Sequence, residues 1–192
     1  MIQRAHKWFT PEEYLAQEEV AQTKSEFFRG EIFAMAGGTP DHNTMSANTI
    51  AALARALYAH PCRTFTSHQR IYIEKHGLYT YPDAVVACGR LQFAPTHKDT
   101  ITNPVLIVEV LSDATRDYDR GAKFELYRDI PALRHYLLID SDAVRVEYYR
   151  RQNGDWVFSA YTRLDDGIAI PLEAGTIALR VSDLYDKVEF EA

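Results

Sequence analysis

Two acidic residues sit beside apolar segments that predict buried strands. Asp83 follows Tyr81-Pro82 and opens the apolar run 84–87, and Glu109 closes the apolar run 105–108. A carboxylate at such a position is costly to bury unless hydrogen bonds or a cation compensate its charge. Two carboxylates side by side would repel each other, and a divalent metal removes that repulsion by taking oxygen ligands from both. The pair therefore predicts a site for a hard divalent cation.

Lys123 is a candidate third member of this site, because its spacing places it on the helix that follows the Glu109 strand. Arg120 and Tyr127 lie three residues before and four residues after it, so all three share one helical face. A cation there could stabilise charge on a phosphate or orient an attacking water. Asp119, four residues earlier, offers the alternative of an ordinary ion pair on the helix surface.

The elements that must position these residues follow from hydrophobic period and turn signals. Short continuous apolar runs predict strands covered on both faces, and alternation predicts strands with one exposed face. We predict helices from Thr10 to about Gln22, over 41–59 and over 115–127, and strands over 30–36, 63–73, 84–87, 105–108, 136–139, 144–149 and 156–158. This order indicates an α/β fold, with a mixed central β-sheet flanked by helices and a C-terminal β-hairpin extension.

Composition limits the class of protein. With 192 residues and 46% hydrophobic side chains, the chain is expected to form a single domain over 1–192. It has no apolar run near the roughly 18 residues that cross a bilayer, so we expect a cytoplasmic protein without a membrane partner. Cys62 and Cys88 match neither a CxxC nor a zinc-ligand pattern, and we expect two reduced thiols.

The net charge of −6 argues against a nucleic-acid partner unless it is unevenly distributed. From Asp165 onward there are seven acids and two bases, which leaves −1 for the preceding 164 residues. A nearly neutral body can still present a local basic groove. We expect the acidic C-terminal segment to be solvated edge structure that does not shape the site.

The residues around the acidic pair resemble known nuclease motifs. Pro82-Asp83 followed by Glu109-Val110-Leu111 resembles the PD-(D/E)XK nuclease signature, with Leu111 at the usual lysine position and the lysine displaced to Lys123. More closely, the chain resembles the Uma family of bacterial restriction-endonuclease-like proteins over nearly its whole length. The resemblance is carried by residues 26–32, 82–86, 103–112, 123–127 and 137–140.

This resemblance implies a restriction-endonuclease-like fold and assigns roles to individual residues. It implies a metal held by Asp83, Glu109 and the main-chain carbonyl of Val110, with Lys123 beside the attacking water and Glu26 as a further acid. The usual serine-proline step after the glutamate is Ser112-Asp113 here, which bears on the local turn and leaves the carboxylates intact.

Each candidate residue also has an ordinary structural interpretation. Asp83 could cap a strand through main-chain donors, and Glu109 could be a buried acid paired with Arg70. Glu26 could be an exposed acid near a helix end. His42 could face the cleft, or it could serve the start of its helix or solvent.

Together these observations predict an endonuclease dependent on Mg²⁺ or Mn²⁺ that hydrolyses DNA phosphodiester bonds through a metal-activated water. The alternative is a catalytically silent nucleic-acid-binding or regulatory module that keeps the fold. Hydrolysis of a small phosphorylated molecule would use the same carboxylates. Cutting a duplex requires action on both strands, and from this activity we expect a homodimer.

Overall fold

The computed structural model describes residues 7–35, 37–95 and 97–190. Within these ranges the helices are α1 Pro11–Glu18, α2 Pro40–Ala56, α3 Arg116–Arg120, α4 Ala122–Tyr127 and α5 Val181–Leu184. The strands are β1 Ser25–Phe28, β2 Glu31–Ala34, β3 Cys62–Thr66, β4 Arg70–Ile73, β5 Leu78–Thr80, β6 Ala84–Cys88, β7 Phe93–Ala94, β8 His97–Ile101, β9 Leu106–Leu111, β10 His135–Asp140, β11 Val146–Gln152, β12 Asp155–Tyr161, β13 Gly167–Leu172 and β14 Gly175–Arg180. In this part of the chain, no helix is both long enough and apolar enough to span a membrane.

The strands form two six-stranded sheets and a separate hairpin. The first sheet, called the core sheet, has the order β12-β11-β10-β9-β6-β3, and the second sheet has the order β2-β1-β5-β4-β8-β7. In the core sheet β9 and β10 are parallel, with Glu109 opposite Leu138, whereas β6 and β9 are antiparallel. The predicted α/β class with a mixed sheet is confirmed, although the strands divide between two sheets.

The core lies on both faces of β9 and β10, whose residues are all buried. Because side chains alternate along a strand, Val108 and Val110 face α2, while Ile107 and Leu111 face α4. The short apolar runs thus form strands covered on both sides, as predicted. The predicted hairpin is also present. It is formed by β11 and β12, in which Val146 pairs with Tyr161 at one end and Gln152 pairs with Asp155 at the turn.

Several predicted elements differ from the structure. The strand predicted over 63–73 is two strands in different sheets, separated by a turn in which Gln69 N donates to Thr66 O at 2.9 Å. The helix predicted over 115–127 is broken at Gly121 into α3 and α4. A Cβ at Gly121 would lie 3.0 Å from the carbonyl oxygen of Asp117, so a side chain there would crowd the preceding turn. Strand β1 and the β13–β14 hairpin were not predicted.

The two cysteines form a disulfide, so the expectation of reduced thiols is wrong. Cys62 in β3 and Cys88 in β6 are directly opposite in the antiparallel register, with their Cα atoms 3.9 Å apart. The pairing arises from sheet register between residues 26 apart, which no local cysteine motif signals.

The C-terminal segment is part of the core, and the prediction of solvated edge structure is wrong for most of it. Ile168, Ile170, Ile177 and Leu179 of the β13–β14 hairpin are at most 4% exposed and belong to the same apolar cluster as α2 and β9. Acidic residues occupy the outer positions of this segment, so its charge did not reveal its buried face.

Replacing Ile170 with alanine tests this role of the hairpin. Ile170 is 0% exposed, so we expect Ile170→Ala to lower the free energy of unfolding by about 2–5 kcal/mol, through lost burial and a residual cavity. Leu164→Ala is the control, because Leu164 is 50% exposed and should change stability by no more than about 0.5 kcal/mol. Urea denaturation measures both, and equally small losses would show that the hairpin does not contribute to the core.

Candidate active site

Asp83 and Glu109 meet where β6 begins and β9 continues past it. Ala84 pairs with Val108 in the antiparallel register, which places Asp83 beside Glu109 and Val110. The main-chain N–H of Val110 donates to Asp83 Oδ2 at 2.8 Å, and that of Asp83 donates to Glu109 Oε2 at 3.4 Å. The structure therefore brings together the three residues that the resemblance named as ligands.

Glu109 is held by two side chains from α4. The Tyr127 hydroxyl donates to Glu109 Oε1 at 2.7 Å, and Lys123 Nζ lies 3.0 Å from the same oxygen. Burial raises the pKa of Glu109 to about 8, and the charge of Lys123 opposes that rise. The predicted alternative of an Arg70 partner is wrong, because Arg70 pairs with Asp99 at 2.9 Å.

Lys123 is a buried cation among three carboxylates. Its side chain is 8% exposed, and Nζ lies 3.0 Å from Glu109, 3.3 Å from Glu26 and 3.4 Å from Asp119. Burial disfavours the charged amine, but the surrounding carboxylates outweigh burial and raise the pKa of Lys123 well above its ordinary value. The lysine therefore stays charged and forms ion pairs with all three carboxylates of the site.

Glu26 and Asp119 supply the outer acids of this cluster. Glu26 lies in β1, where the Thr80 hydroxyl of β5 donates a hydrogen bond to it, so Glu26 is not an exposed acid at a helix end. Asp119 is 3% exposed in α3, so its ion pair with Lys123 is buried and not on the helix surface. Sequence analysis missed Asp119 as a site residue, since i, i+4 spacing alone does not distinguish a buried pair from an exposed one.

His42 faces the carboxylate pair from the first turn of α2. Thr39 caps this helix by accepting from the His42 main-chain N–H at 3.2 Å. His42 Nε2 lies 3.5 Å from Asp83 Oδ2, and its side chain is 16% exposed. The hydrogen bond to Asp83 raises the pKa of His42 against the opposing effect of burial, and a hydrogen bond to the backbone of Val110 adds to the rise.

The cluster opens into a cavity of about 1270 Å³. Glu189 and Phe190 line it, which corrects the expectation that the C-terminal segment does not shape the site. Glu191 lies outside the described residues. The cavity wall is strongly acidic, with Lys123 as its one lysine or arginine among the described lining residues. Its carboxylates are Glu26, Asp41, Asp83, Glu109, Asp113, Asp119, Asp142 and Glu189.

The donor chemistry of the site suits a hard divalent cation. Carboxylate and main-chain carbonyl oxygens are the ligands that Mg²⁺ and Mn²⁺ prefer, and Asp83, Glu109 and Val110 offer them within one small volume. Among the residues that the structure describes, no three His, Cys, Asp or Glu side chains already stand as a formed ligand set. Lys123 and, when it is protonated, His42 lie next to Glu109 and Asp83, and a metal would compete with them.

The fold and the paired carboxylates of Asp83 and Glu109 place the chain in the restriction-endonuclease-like class. The chain belongs to the Uma2 family, described as "Putative restriction endonuclease", whose model matches residues 11–182. It is 39% identical to the Synechocystis protein slr1290 over 94% of this chain and 93% of that protein. It is 38% identical to a second Synechocystis protein, sll1609, over 79% of this chain and 85% of that protein. Both relatives are described as uncharacterized proteins.

A solved structure has the same fold. It is the crystal structure of "a putative nuclease belonging to DUF820" from Anabaena variabilis, with a TM-score of 0.73 and 18% sequence identity. The match covers 93% of this chain and 98% of the Anabaena chain, so the fold is shared over nearly the whole of both.

The raised pKa of Glu109 predicts a pH-dependent stability. The folded protein holds this proton to a pH of about 8, whereas the unfolded chain releases it near 4.5, so the folded state binds more protons in between. The free energy of unfolding should therefore fall as pH rises through this window, by up to about 1.4 kcal/mol per pH unit.

Glu109→Gln should flatten this slope, since glutamine does not titrate. Chemical denaturation without divalent cations, from pH 6.5 to 8.5, measures the difference between the two proteins. This range avoids the opposite contribution of His135, whose pKa burial lowers to about 4. Parallel slopes for parent and variant would contradict the assignment.

Replacing Lys123 with methionine tests the buried ion cluster. The change keeps the length of the side chain but leaves the carboxylates without their cation, and we expect a loss of about 3–5 kcal/mol in unfolding free energy. Lys75→Met is the matched control, because Lys75 forms an exposed pair with Asp129 at 2.9 Å and should cost no more than about 1 kcal/mol. Similar small losses in both variants would mean that Lys123 does not neutralise the cluster.

Proposed function

We propose that this protein is an endonuclease dependent on Mg²⁺ or Mn²⁺ that hydrolyses phosphodiester bonds in DNA. The observation that carries the proposal is the placement of Asp83, just before β6, beside Glu109, within β9: the Asp83 main-chain N–H donates to Glu109 Oε2, and a buried lysine lies 3.0 Å from Glu109 Oε1. Membership of the Uma2 family supports nuclease chemistry in general. The choice of metal, DNA as substrate and the mechanism are parts of the proposal.

In this mechanism the chain's own residues bind and orient. Asp83, Glu109 and the Val110 carbonyl would hold the divalent cation. When bound, such a cation lowers the pKa of water and neutralises phosphate charge. Tyr127 and Lys123 fix the Glu109 carboxylate through its Oε1 atom, which leaves Oε2 directed toward Asp83. Lys123 also supplies positive charge beside the position of the scissile phosphate.

The acidic wall of the cavity makes DNA binding in this proposal dependent on cations. Asp41, Asp113, Asp142 and Glu189 add negative charge to the inner carboxylates, and this field repels a polyanion. Divalent cations must therefore neutralise part of the wall before a DNA phosphate can approach. The same electrostatics favour entry of the cation itself.

Cleavage of circular DNA tests the function. The parent protein should convert supercoiled duplex to nicked or linear product with Mg²⁺ or Mn²⁺ and not with chelator, and single-stranded circles test strand preference. Asp83→Asn should lower the rate by about 100-fold or more, since it removes a ligand of an ion that contributes several kcal/mol. Asp117→Asn is the control, because Asp117 is exposed on α3.

Thermal denaturation separates the proposed enzyme from a catalytically silent module. A cation that binds the folded state raises the unfolding temperature, and Asp83→Asn should abolish that rise. Cleavage that persists in chelator, or in Asp83→Asn at the parent rate, would overturn the proposal. Metal-induced stabilisation without cleavage of any DNA would favour the silent module.

A further inference from the structure

His42 is the one imidazole that the described part of the cavity wall presents to the carboxylate pair. Its Nε2 atom lies 3.5 Å from Asp83 Oδ2, the oxygen that also accepts a hydrogen bond from the main-chain N–H of Val110 at 2.8 Å. These two neighbours are oxygen ligands in the proposed function. Ligands that share one octahedral ion at about 2.1 Å lie about 3 Å from each other. Nε2 therefore stands close to the distance expected of a further ligand of the same ion.

The main chain that precedes α2 packs against the ring of His42. A Cβ at Gly38 would lie 2.5 Å from Nδ1 and 2.9 Å from Cγ of His42, so the Gly38 main chain packs directly against the imidazole. The start of α2 adds a second restraint, through the Thr39 cap on the His42 main chain. The Gly38 main chain and the Thr39 cap thus position the start of α2, and with it His42, beside Asp83.

We propose that His42 is a nitrogen ligand of the metal ion held by Asp83, Glu109 and the Val110 carbonyl. This inference rests on the proposed function, because it assumes that the site binds a divalent cation. As a ligand, His42 would release the Nε2 proton to solvent and keep its remaining ring proton on Nδ1, so that the Nε2 lone pair is free for the ion. The neutral imidazole is the ligand form.

A nitrogen ligand predicts which cation the site prefers. Mg²⁺ keeps to oxygen ligands and ideal octahedral geometry, whereas imidazole suits transition metals. A mixed set of two carboxylates, one carbonyl and one imidazole therefore favours Mn²⁺ over Mg²⁺. His42 would then determine metal specificity, apart from the acids that create the site.

Electron paramagnetic resonance of Mn²⁺ tests the ligand directly, without an activity assay. Less than one equivalent of Mn²⁺ is added to chelator-treated protein, and electron spin echo modulation reports ¹⁴N coupled to the ion. We expect ¹⁴N coupling in the parent, replaced by ¹⁵N coupling when the protein is made with ¹⁵N-histidine. This isotope exchange needs no variant, so it still tests for a histidine ligand if a substitution impairs folding.

Two histidine variants make the assignment specific. His42→Gln should remove the coupling, lower Mn²⁺ affinity in calorimetry by about tenfold or more, and change Mg²⁺ affinity by less than about threefold. His76→Gln is the matched control, because His76 also pairs with an aspartate, Asp129, at 2.6 Å. This variant should keep both the coupling and the Mn²⁺ affinity of the parent.

The possible failures are distinguishable. Mn²⁺ binding that Asp83→Asn abolishes, but that shows no histidine nitrogen coupling, would overturn the role of His42 and leave the proposed function standing. Coupling that persists in His42→Gln would also overturn it. If the parent binds neither Mn²⁺ nor Mg²⁺, the proposed function fails together with this inference.

Discussion

The site depends on one buried cation, the ammonium group of Lys123. Three carboxylates from β1, β9 and α3 converge within 3.4 Å of it, and each of them would be costly to bury without it. These carboxylates come from both sheets and from the helical layer. Neutralising them at one point therefore also joins the two sheets at the cavity, so the stability of this region and the geometry of the proposed metal site have the same origin.

Lys123 and Asp119 both reach inward, from the two sides of the break at Gly121, and Arg120 does not join them. In an unbroken helix, residues four apart share a face but point to successive turns along it. Here α3 ends before Gly121 and α4 begins after it, so the two residues belong to different short helices. Arg120, next to Asp119, instead turns toward β11, where it pairs with Glu147 at 3.1 Å. Lys123 thus belongs to the ion cluster at the cavity, and Arg120 belongs to a separate ion-pair network with Glu147.

Local sequence patterns were sufficient to predict the inner part of the site. Asp83 and Glu109 adjoin apolar runs, and burial of a carboxylate there requires compensation that physical chemistry can anticipate. Asp119 could not be assigned in the same way, because spacing gives no measure of burial. The Cys62–Cys88 bridge depends on the register between β3 and β6, and the cavity contacts of Glu189 depend on how the chain returns past α2. These features arise from long-range packing, which no short window of sequence contains.

The raised pKa of Glu109 and the acidic cavity describe a single electrostatic balance. Burial favours a proton on Glu109, Lys123 favours its ionised form, and His42 lies beside Asp83. A divalent cation at this position would gain attraction to both carboxylates but would have to displace the proton on Glu109 and tolerate the fixed charge of Lys123. Its net affinity is the difference between these opposing contributions. Because Lys123 cannot leave without exposing three buried acids to one another, we expect His42 rather than Lys123 to exchange its contact with Asp83 for the ion, since His42 lies at the edge of the cluster and contacts Asp83 alone among the site's carboxylates.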